Sequence, residues 1–325
     1  MPLIDAHGRK INYLRLSVTD RCNLRCQYCM PAGGVEKCTH ANVLRFEELY
    51  EIAAAAVSLG IEKIRVTGGE PLVRKGILPF LERLAGLDGL RELVLTTNGT
   101  LLPKMAKDLR AAGVRRLNVS LDSLHPVTFS HITRGGRLAD VLDGLQAAEQ
   151  AGLPIKLNVV AMRGINDGEI LDFAELTLRK PYAVRFIEYM PAIQEENWQE
   201  RVVTGAQILE TISSRYQLVP AATQVCAGPA QNFLIPGAQG MVGLITPLSG
   251  HFCATCNRIR VTSTGRVRSC LFSDQGTDIR PVLARRDPAQ LAETLRRLVV
   301  SKPGMHQMSV AESEHTPFSM ADIGG

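Results

Sequence analysis

Residues 20–31 read DRCNLRCQYCMP, and the rest of the chain is organised around this run. It places Cys22, Cys26 and Cys29 at C-x3-C-x2-C spacing, directly after an apolar segment that ends at Val18. A structural zinc site takes four ligands, and no fourth Cys or His follows at zinc-finger spacing. Three thiolates suit a cluster of four irons and four sulfides better, because one iron then stays open to an exogenous ligand. A zinc knuckle or a redox dithiol is the alternative.

The composition is that of an ordinary globular protein. Of 325 residues, 45% are hydrophobic and 21% are charged, which allows one large domain and a smaller one. The N-terminus lacks the apolar core of a signal peptide and no apolar run reaches bilayer length, so we expect a cytoplasmic location and no membrane contact. In that compartment the eight cysteines favour metal ligation over disulfides. The net charge of +5 permits an anionic substrate but is too small for a nucleic-acid-binding surface.

Short β-branched segments alternate with amphipathic ones over the first two-thirds of the chain. The predicted strands are 13–18, 63–67, 92–97, 116–121, 155–161 and 183–188. The predicted helices are 46–59, 77–84, 103–112, 139–151, 167–178 and 205–216, with glycines just past three of them as C-terminal caps. This order implies a parallel sheet with right-handed crossovers, either a partial (βα) barrel or an open doubly wound sheet.

Polar and glycine-rich motifs at the ends of the strands decide between these two folds. They follow nearly every predicted strand and are the cysteine loop, GGEP (68–71), TNG (97–99), SLD (120–122) and EYMP (188–191). Barrel enzymes build their active sites on that rim, whereas a doubly wound sheet concentrates such motifs at its switch point. We therefore predict an α/β fold with a partial (βα)6 TIM-type barrel over residues 1–219. Residues 220–325 would form a smaller segment that caps it.

A second cysteine group lies in that C-terminal segment. Cys253, Cys256 and Cys270 have C-x2-C-x13-C spacing, and the segments between the last two predict a hairpin that returns the third cysteine to the others. His251 offers a fourth ligand, although a surface position suits it equally well. The missing fourth cysteine counts against zinc.

The predicted hairpin also carries basic residues. Arg258 and Arg260 project to one face by the period-two alternation of a strand, which makes a natural phosphate clamp. The two remaining cysteines, Cys38 and Cys226, belong to neither group, and for them small buried or idle thiols are expected.

The first cysteine run, with Tyr28 between its second and third Cys, resembles the signature of the radical S-adenosylmethionine (SAM) enzymes. In that family the three thiolates hold a [4Fe-4S] cluster whose open iron chelates SAM. The motifs GGEP, TTNG, NVSLDS, RFIEYMP and CNRIR follow in order, with the second triad and a terminal Gly-Gly. Together they resemble the GTP 3′,8-cyclase family of molybdenum cofactor biosynthesis over about residues 11–325.

The resemblance implies a reaction. A 5′-deoxyadenosyl radical takes the ribose 3′ hydrogen of GTP, and C3′ then bonds to C8 of guanine to give 3′,8-cyclo-7,8-dihydro-GTP after reduction. The cofactors implied are two [4Fe-4S] clusters and SAM, with the second cluster binding the guanine. In the family the Gly-Gly tail enters the active site.

The resemblance also assigns residues. The implied cluster ligands are Cys22, Cys26, Cys29, Cys253, Cys256 and Cys270. The implied SAM contacts are Tyr28, Gly69, Ser120 and Met190. The candidate GTP contacts are Arg15, Lys63, Arg65, Thr96, Lys156, Arg185, Arg258 and Arg260. The candidate catalytic residues are Arg15, Gly324 and Gly325. Four of the basic residues interrupt apolar strands, where unpaired charge is costly, and one shared anion explains them better than four separate salt bridges.

The partners implied are GTP, an electron donor such as flavodoxin or ferredoxin, and a downstream cyclic pyranopterin monophosphate synthase; a homodimer is left open. Two alternatives are also open. A radical SAM peptide-modifying maturase pairs the same first triad with auxiliary clusters but usually has more cysteines. A zinc-stabilised nucleic-acid-binding module would use the second triad with its arginines, and it would contain zinc but no acid-labile sulfide.

Overall fold

Twelve strands form one sheet within the part of the chain that the computed structural model describes, residues 2–34, 42–191, 195–221, 228–272, 276–306 and 308. The strands are β1 (Tyr13–Ser17), β2 (Lys63–Thr67), β3 (Glu92–Thr97), β4 (Arg116–Ser120), β5 (Ile155–Ala161), β6 (Ala183–Glu188), β7 (Val219–Pro220), β8 (Gln231–Leu234), β9 (Met241–Ile245), β10 (Arg258–Val261), β11 (Arg266–Arg268) and β12 (Thr277–Asp278). The helices are α1 (Phe46–Ser58), α2 (Ile77–Ala85), α3 (Leu102–Ala111), α4 (Pro126–Thr133), α5 (Leu138–Gln150), α6 (Ile170–Arg179), α7 (Gly205–Ser213), α8 (Arg280–Leu283) and α9 (Pro288–Val300).

Strands β1 to β6 lie side by side in chain order, and every neighbouring pair is parallel. Helices α1 to α6 lie in the connections between them. The C-terminal strands extend both edges, because β9 pairs in parallel with β6 and β10 pairs in parallel with β1. The predicted partial barrel is therefore confirmed, with β12 and β7 at the two ends of the strand order.

Side chains on the barrel strands alternate between the apolar core and the lumen. On β1, Leu14 and Leu16 belong to the core, while Arg15 lines the cavity inside the barrel. On β2, Ile64 lies in the core and Arg65 in the lumen. Successive side chains of a strand point to opposite faces. One face thus stabilises the fold by hydrophobic burial, and the other holds polar groups.

The GGEP motif leads into a short 3-10 turn, Pro71–Val73, and α2 starts at Ile77, as the sequence predicted. Helices α4 and α9 were not predicted. The predicted caps are confirmed, since Gly60, Gly113 and Gly152 all have positive φ. Among the described helices, none is long and apolar enough to cross a bilayer.

Candidate active site

A cavity at the C-terminal ends of the barrel strands collects most of the predicted site residues. Those that line it are Arg15, Cys22, Cys26, Tyr28, Cys29, Arg65, Gly69, Thr96, Ser120, Arg185, Met190, Arg258 and Arg260. They come from six strands and from the loops that follow them. The rim on which barrel enzymes place their sites is thus the rim that carries these residues.

The N-terminal cysteine loop fits a multi-iron cluster better than a single ion. Cys22, Cys26 and Cys29 line the cavity together, yet among the described residues they do not form a group whose ligand atoms all lie within 4.8 Å of one another. A single ion needs such closeness, whereas in a cluster each thiolate binds its own iron. Burial raises the pKa of Cys22, and the hydrogen bonds that the Leu24 N–H (3.4 Å) and Asn98 Nδ2 (3.8 Å) donate to its Sγ oppose that rise.

Gly69 brings the second strand end against the cysteine loop. Its N–H donates to the Thr19 carbonyl at 2.8 Å. A Cβ at this position would lie 2.5 Å from the Arg21 carbonyl oxygen. The close approach that requires glycine at this position is therefore to the cysteine loop.

The buried Glu70 carboxylate joins the GGEP and TTNG motifs, a role the sequence did not indicate. It accepts hydrogen bonds from the Asn98 N–H at 2.7 Å, the Thr97 hydroxyl at 2.9 Å and the Leu72 N–H at 3.1 Å. Burial raises the pKa of Glu70 to about 7, although these donors oppose the rise. The two motifs thereby form one unit that holds Asn98 against Cys22.

Asp122 fixes the ring of Tyr28. The Tyr28 hydroxyl donates to one carboxylate oxygen at 2.8 Å, and the Val160 N–H donates to the other at 2.8 Å. Asp122 is 3% exposed, and burial raises its pKa to about 6. Burial and the neighbouring Asp122 also raise the pKa of Tyr28, which keeps its proton. Asp122 was not predicted as a site residue, because its partners are distant in the sequence.

Three arginine side chains project from neighbouring strands at one level of the lumen. Arg15 on β1 is in register with Arg65 on β2 and with Arg260 on β10. Burial, followed by the charges of Arg260 and Arg65, lowers the pKa of Arg15. Burial and Arg258 lower the pKa of Arg260 to about 10. Since arginine stays protonated in proteins, these shifts reflect the cost of burying charge and, second, the crowding of positive charge, which a bound polyanion relieves.

Several buried donors in the lumen lack an acceptor among the described residues. They are the Nε–H groups of Arg65, Arg185, Arg258 and Arg260 and the hydroxyl of Thr96. Buried donors are normally satisfied, so a set of unsatisfied ones around one lumen indicates a ligand site. The donors are those expected for a phosphate-bearing molecule.

One candidate GTP contact, Lys63, forms an ion pair with a strand carboxylate. Lys63 Nζ lies 2.7 Å from Glu92, which also contacts Arg116 at 2.5 Å. The Glu188 carboxylate, at the end of β6, accepts backbone N–H bonds from Gly205 at 2.8 Å and Leu248 at 3.0 Å.

A second cavity lies at the opposite, N-terminal ends of the same strands. We call it the lower cavity, and the cavity at the C-terminal ends the upper cavity. Lys63, Arg65, Lys156 and Arg185 line it together with Arg116, which the sequence did not single out. Arg65 and Arg185 line both cavities, so the two share a basic wall. Burial, then the charges of Arg185, Arg116 and Lys63, lower the pKa of Lys156 to about 6.

The C-terminal triad lies behind the wall of the upper cavity. Cys253, Cys256 and Cys270 do not line that cavity, whereas Phe252 and Leu271, which adjoin two of them in the chain, do. The predicted hairpin is confirmed as β10 and β11, which pair antiparallel. The thiols of this triad, like those of the first, do not form a single-ion group among the described residues.

A buried lysine holds the two ends of this hairpin. Lys302 is 3% exposed, and its Nζ donates to the carbonyl oxygens of Arg258, at 3.2 Å, and of Ser269. Burial alone would raise the pKa of Cys256, but Arg258 and Lys302 outweigh it and lower the pKa to about 7. The thiolate that binds iron is therefore favoured. Lys302 was missed because it lies 32 residues beyond Cys270 in the chain.

The remaining predicted residues lie outside the described part of the chain. They are the tail glycines Gly324 and Gly325 and the two cysteines outside the triads, Cys38 and Cys226.

Comparisons with known proteins show the family of the chain. The family model described as Radical SAM superfamily matches residues 16–177, and the model described as Molybdenum Cofactor Synthesis C matches residues 182–308. A GTP 3′,8-cyclase of Geobacter sulfurreducens is 63% identical over 326 residues and covers 100% of both chains. A GTP 3′,8-cyclase of Alkaliphilus oremlandii is 46% identical and covers 99% of both.

A solved structure shares the fold at low identity. SuiB of Streptococcus suis, crystallised with S-adenosylmethionine, superposes with a TM-score of 0.62 at 14% identity and covers 89% of this chain and 69% of its own. At that identity the likeness concerns the fold alone.

Proposed function

Because the chain belongs to the GTP 3′,8-cyclase family, we infer that it is a radical SAM enzyme that cyclises GTP in molybdenum cofactor biosynthesis. Full-length identity of 63% to a curated GTP 3′,8-cyclase carries this conclusion. The structure adds a barrel whose lumen has a cysteine triad at its rim and a row of arginines on its wall.

We propose that Cys22, Cys26 and Cys29 hold the first [4Fe-4S] cluster and that Tyr28, Gly69, Ser120 and Met190 contact SAM. These residues line one cavity and include three thiols without single-ion spacing. When bound, the cluster and SAM supply a 5′-deoxyadenosyl radical. The role of the chain is to fix the ligands: Asp122 orients Tyr28, and Glu70 orients Asn98 beside the thiol of Cys22.

We propose that the triphosphate of GTP binds the basic wall. Arg15, Lys63, Arg65, Thr96, Lys156, Arg185, Arg258 and Arg260 are its candidate contacts. The unsatisfied donors and the crowding of like charge on this wall support an anionic occupant. Arg116 joins the set because it lines the lower cavity beside Lys156.

Guanine would then lie toward Phe252 and Leu271, the wall in front of Cys253, Cys256 and Cys270, which are the proposed ligands of the second [4Fe-4S] cluster. The substrate loses its 3′ hydrogen atom, a bond forms between C3′ and C8, and one electron and one proton restore an even-electron product that is an isomer of GTP. Positioning dominates such a reaction, since the radical must meet one C–H bond with water excluded. We propose catalytic roles for Arg15 and for the tail glycines Gly324 and Gly325.

We also propose that residues 1–219 act as the radical-generating barrel and residues 220–325 as the segment that caps it; β7 begins at Val219. A flavodoxin or ferredoxin as electron donor, a cyclic pyranopterin monophosphate synthase as the next enzyme, and a cytoplasmic location follow from family membership as proposals. A homodimer is a further proposal of the same kind.

The test is an anaerobic assay of the reconstituted full chain with GTP, SAM and dithionite. The expected products are 5′-deoxyadenosine and a nucleotide that has the mass of GTP but a different retention time. Iron should reach about eight per chain. Cys22→Ala should halve the iron and abolish SAM cleavage. Cys253→Ala should also halve the iron yet leave some uncoupled SAM cleavage. Full iron in both variants would refute the ligand assignment.

A further inference from the structure

Outside the lumen, two histidines approach the first cysteine of the C-terminal triad. The ligand atoms of His251, Cys253 and His306 all lie within 4.8 Å of one another. Among the described residues, this is the one group of three such side chains with that spacing. His251 is exposed, while Cys253 and His306 are buried, so the group has an inner side and an opening to solvent.

The spacing of the imidazoles matches that of ligands on one metal ion. His251 Nδ1 and His306 Nε2 are 3.3 Å apart. Two nitrogens bound tetrahedrally at about 2.0–2.1 Å from zinc are about 3.3–3.4 Å apart. Two imidazoles and one thiolate are a borderline-soft donor set that suits zinc, with water as a fourth ligand.

The two chain segments that carry these ligands are already fixed together. The Arg9 guanidinium donates to the carbonyl oxygens of Cys253 at 2.8 Å, Gly304 at 2.9 Å and Pro303 at 2.6 Å. Asp5 accepts from Arg9 Nε at 2.6 Å and completes the contact. One buried side chain from the N-terminus therefore sets the distance between the segments at 253 and 306, which reduces the entropy lost on metal binding.

We propose that the cluster-free chain binds one Zn²⁺ through His251, Cys253 and His306, and that this ion withholds Cys253 from the second cluster. The second half rests on the proposed function, in which Cys253 is a cluster ligand. One thiolate cannot serve both sites, so occupation is exclusive. Zinc binds such donors more tightly than ferrous iron, so one zinc ion that occupies the site before iron arrives stops maturation at the C-terminal cluster.

Zinc binding is tested first, on the full chain freed of metal under anaerobic conditions. Titration with Co²⁺ should give one tightly bound ion with tetrahedral visible bands and a thiolate-to-cobalt charge-transfer band, and one equivalent of Zn²⁺ should displace it. His251→Gln and His306→Gln should each weaken binding at least about tenfold. His125→Gln, an exposed histidine elsewhere, is the matched control and should change nothing. Because His251 is exposed, His251→Gln should fold normally and still tests metal binding even if His306→Gln fails to fold.

The double variant Cys256→Ala/Cys270→Ala separates the two uses of the C-terminal thiols. It should keep full cobalt binding, since neither cysteine belongs to the zinc group. Loss of cobalt in this variant, with retention in His251→Gln, would assign the metal to the cysteine triad and overturn the proposal.

Competition is tested by reconstituting the clusters with and without one equivalent of Zn²⁺. The wild type should fall from about eight irons to about four, while His251→Gln/His306→Gln should keep about eight. Equal iron in both proteins would refute the withholding of Cys253. An enzyme that makes no cyclised nucleotide even without zinc would count against the proposed function only, because the cobalt titration stands on its own.

Discussion

The low pKa of Lys156 predicts that GTP binding is linked to proton uptake. Lys156 lies in the lower cavity, where burial and the charges of Arg185, Arg116 and Lys63 lower its pKa to about 6. In the free enzyme at pH 8 this amine is therefore mostly neutral. A triphosphate placed against it adds several negative charges and restores the ammonium form, so one proton should enter with each GTP.

The free energy needed to protonate Lys156 follows from the difference between its pKa and the pH of the experiment. At pH 8 the amine is about two pH units above its pKa, so protonating it costs about 2.7 kcal/mol of the binding free energy. The bound complex holds the extra proton, so affinity falls as pH rises. Between pH 7.5 and 8.5 the terminal phosphate, with a second pKa of about 6, is already ionised. Across that interval the Kd for GTP should rise about tenfold.

Isothermal titration calorimetry measures this linkage directly. Titrations in two buffers of different ionisation enthalpy give the number of protons taken up at pH 8. At least one is expected for the wild type, since Tyr13, whose pKa the neighbouring arginines and Lys63 lower to about 8 against the effect of burial, also takes up protons when the anion binds. Lys156→Met should bind GTP more weakly at pH 7.5, take up about one proton fewer than the wild type and depend less steeply on pH. Lys104→Met, an exposed lysine, is the control and should behave as the wild type. The same proton uptake in Lys156→Met as in the wild type would refute the reasoning.

Three further outcomes are expected. Arg260→Ala removes a charge-assisted donor from the basic wall and should weaken GTP binding roughly ten- to two-hundredfold, with SAM binding nearly unchanged; equal losses by calorimetry for both ligands would point to misfolding. Asp122→Asn weakens the anchor of Tyr28 and should raise the KM for SAM while leaving iron content intact, whereas an unchanged KM would contradict the orienting role. Deleting Gly324 and Gly325 should leave both clusters and GTP affinity within a few-fold of normal but abolish cyclisation by product chromatography; full turnover would show that the tail is dispensable.

The barrel could be predicted from the sequence because its signals are local. The bounds of β2, β3, β5 and β6 match the predicted strands, and β1 and β4 are each one residue shorter. β-branched segments, their spacing and the glycines beyond the helices are all properties of short windows. Arg15 and Arg65 were predicted as GTP contacts by other means, through the family resemblance and because they interrupt apolar strands.

The parts that were missed depend on contacts between distant residues. Glu70 and Asp122 look like ordinary acidic residues in the sequence, and their function comes from donors on other strands, such as Thr97 and Val160. Lys302 and His306 reach the C-terminal triad only through the fold. Strands β7 and β12 are two residues long, too short for a periodic pattern, and their pairing is set by the neighbours they meet.

The pairing of β10 with β1 has a consequence for the synthesis of the chain. Asn12, just before β1, and Asn257, just before β10, are hydrogen-bonded to each other although they are 245 residues apart in the sequence. At about 5–20 residues per second, a ribosome needs roughly 12–50 s to make the intervening stretch. Throughout that time the outer edge of β1 has no strand beside it, and an open edge recruits other strands. Fragments that stop before Arg258 should therefore aggregate instead of forming a smaller stable barrel, and slow translation should increase the demand for chaperones.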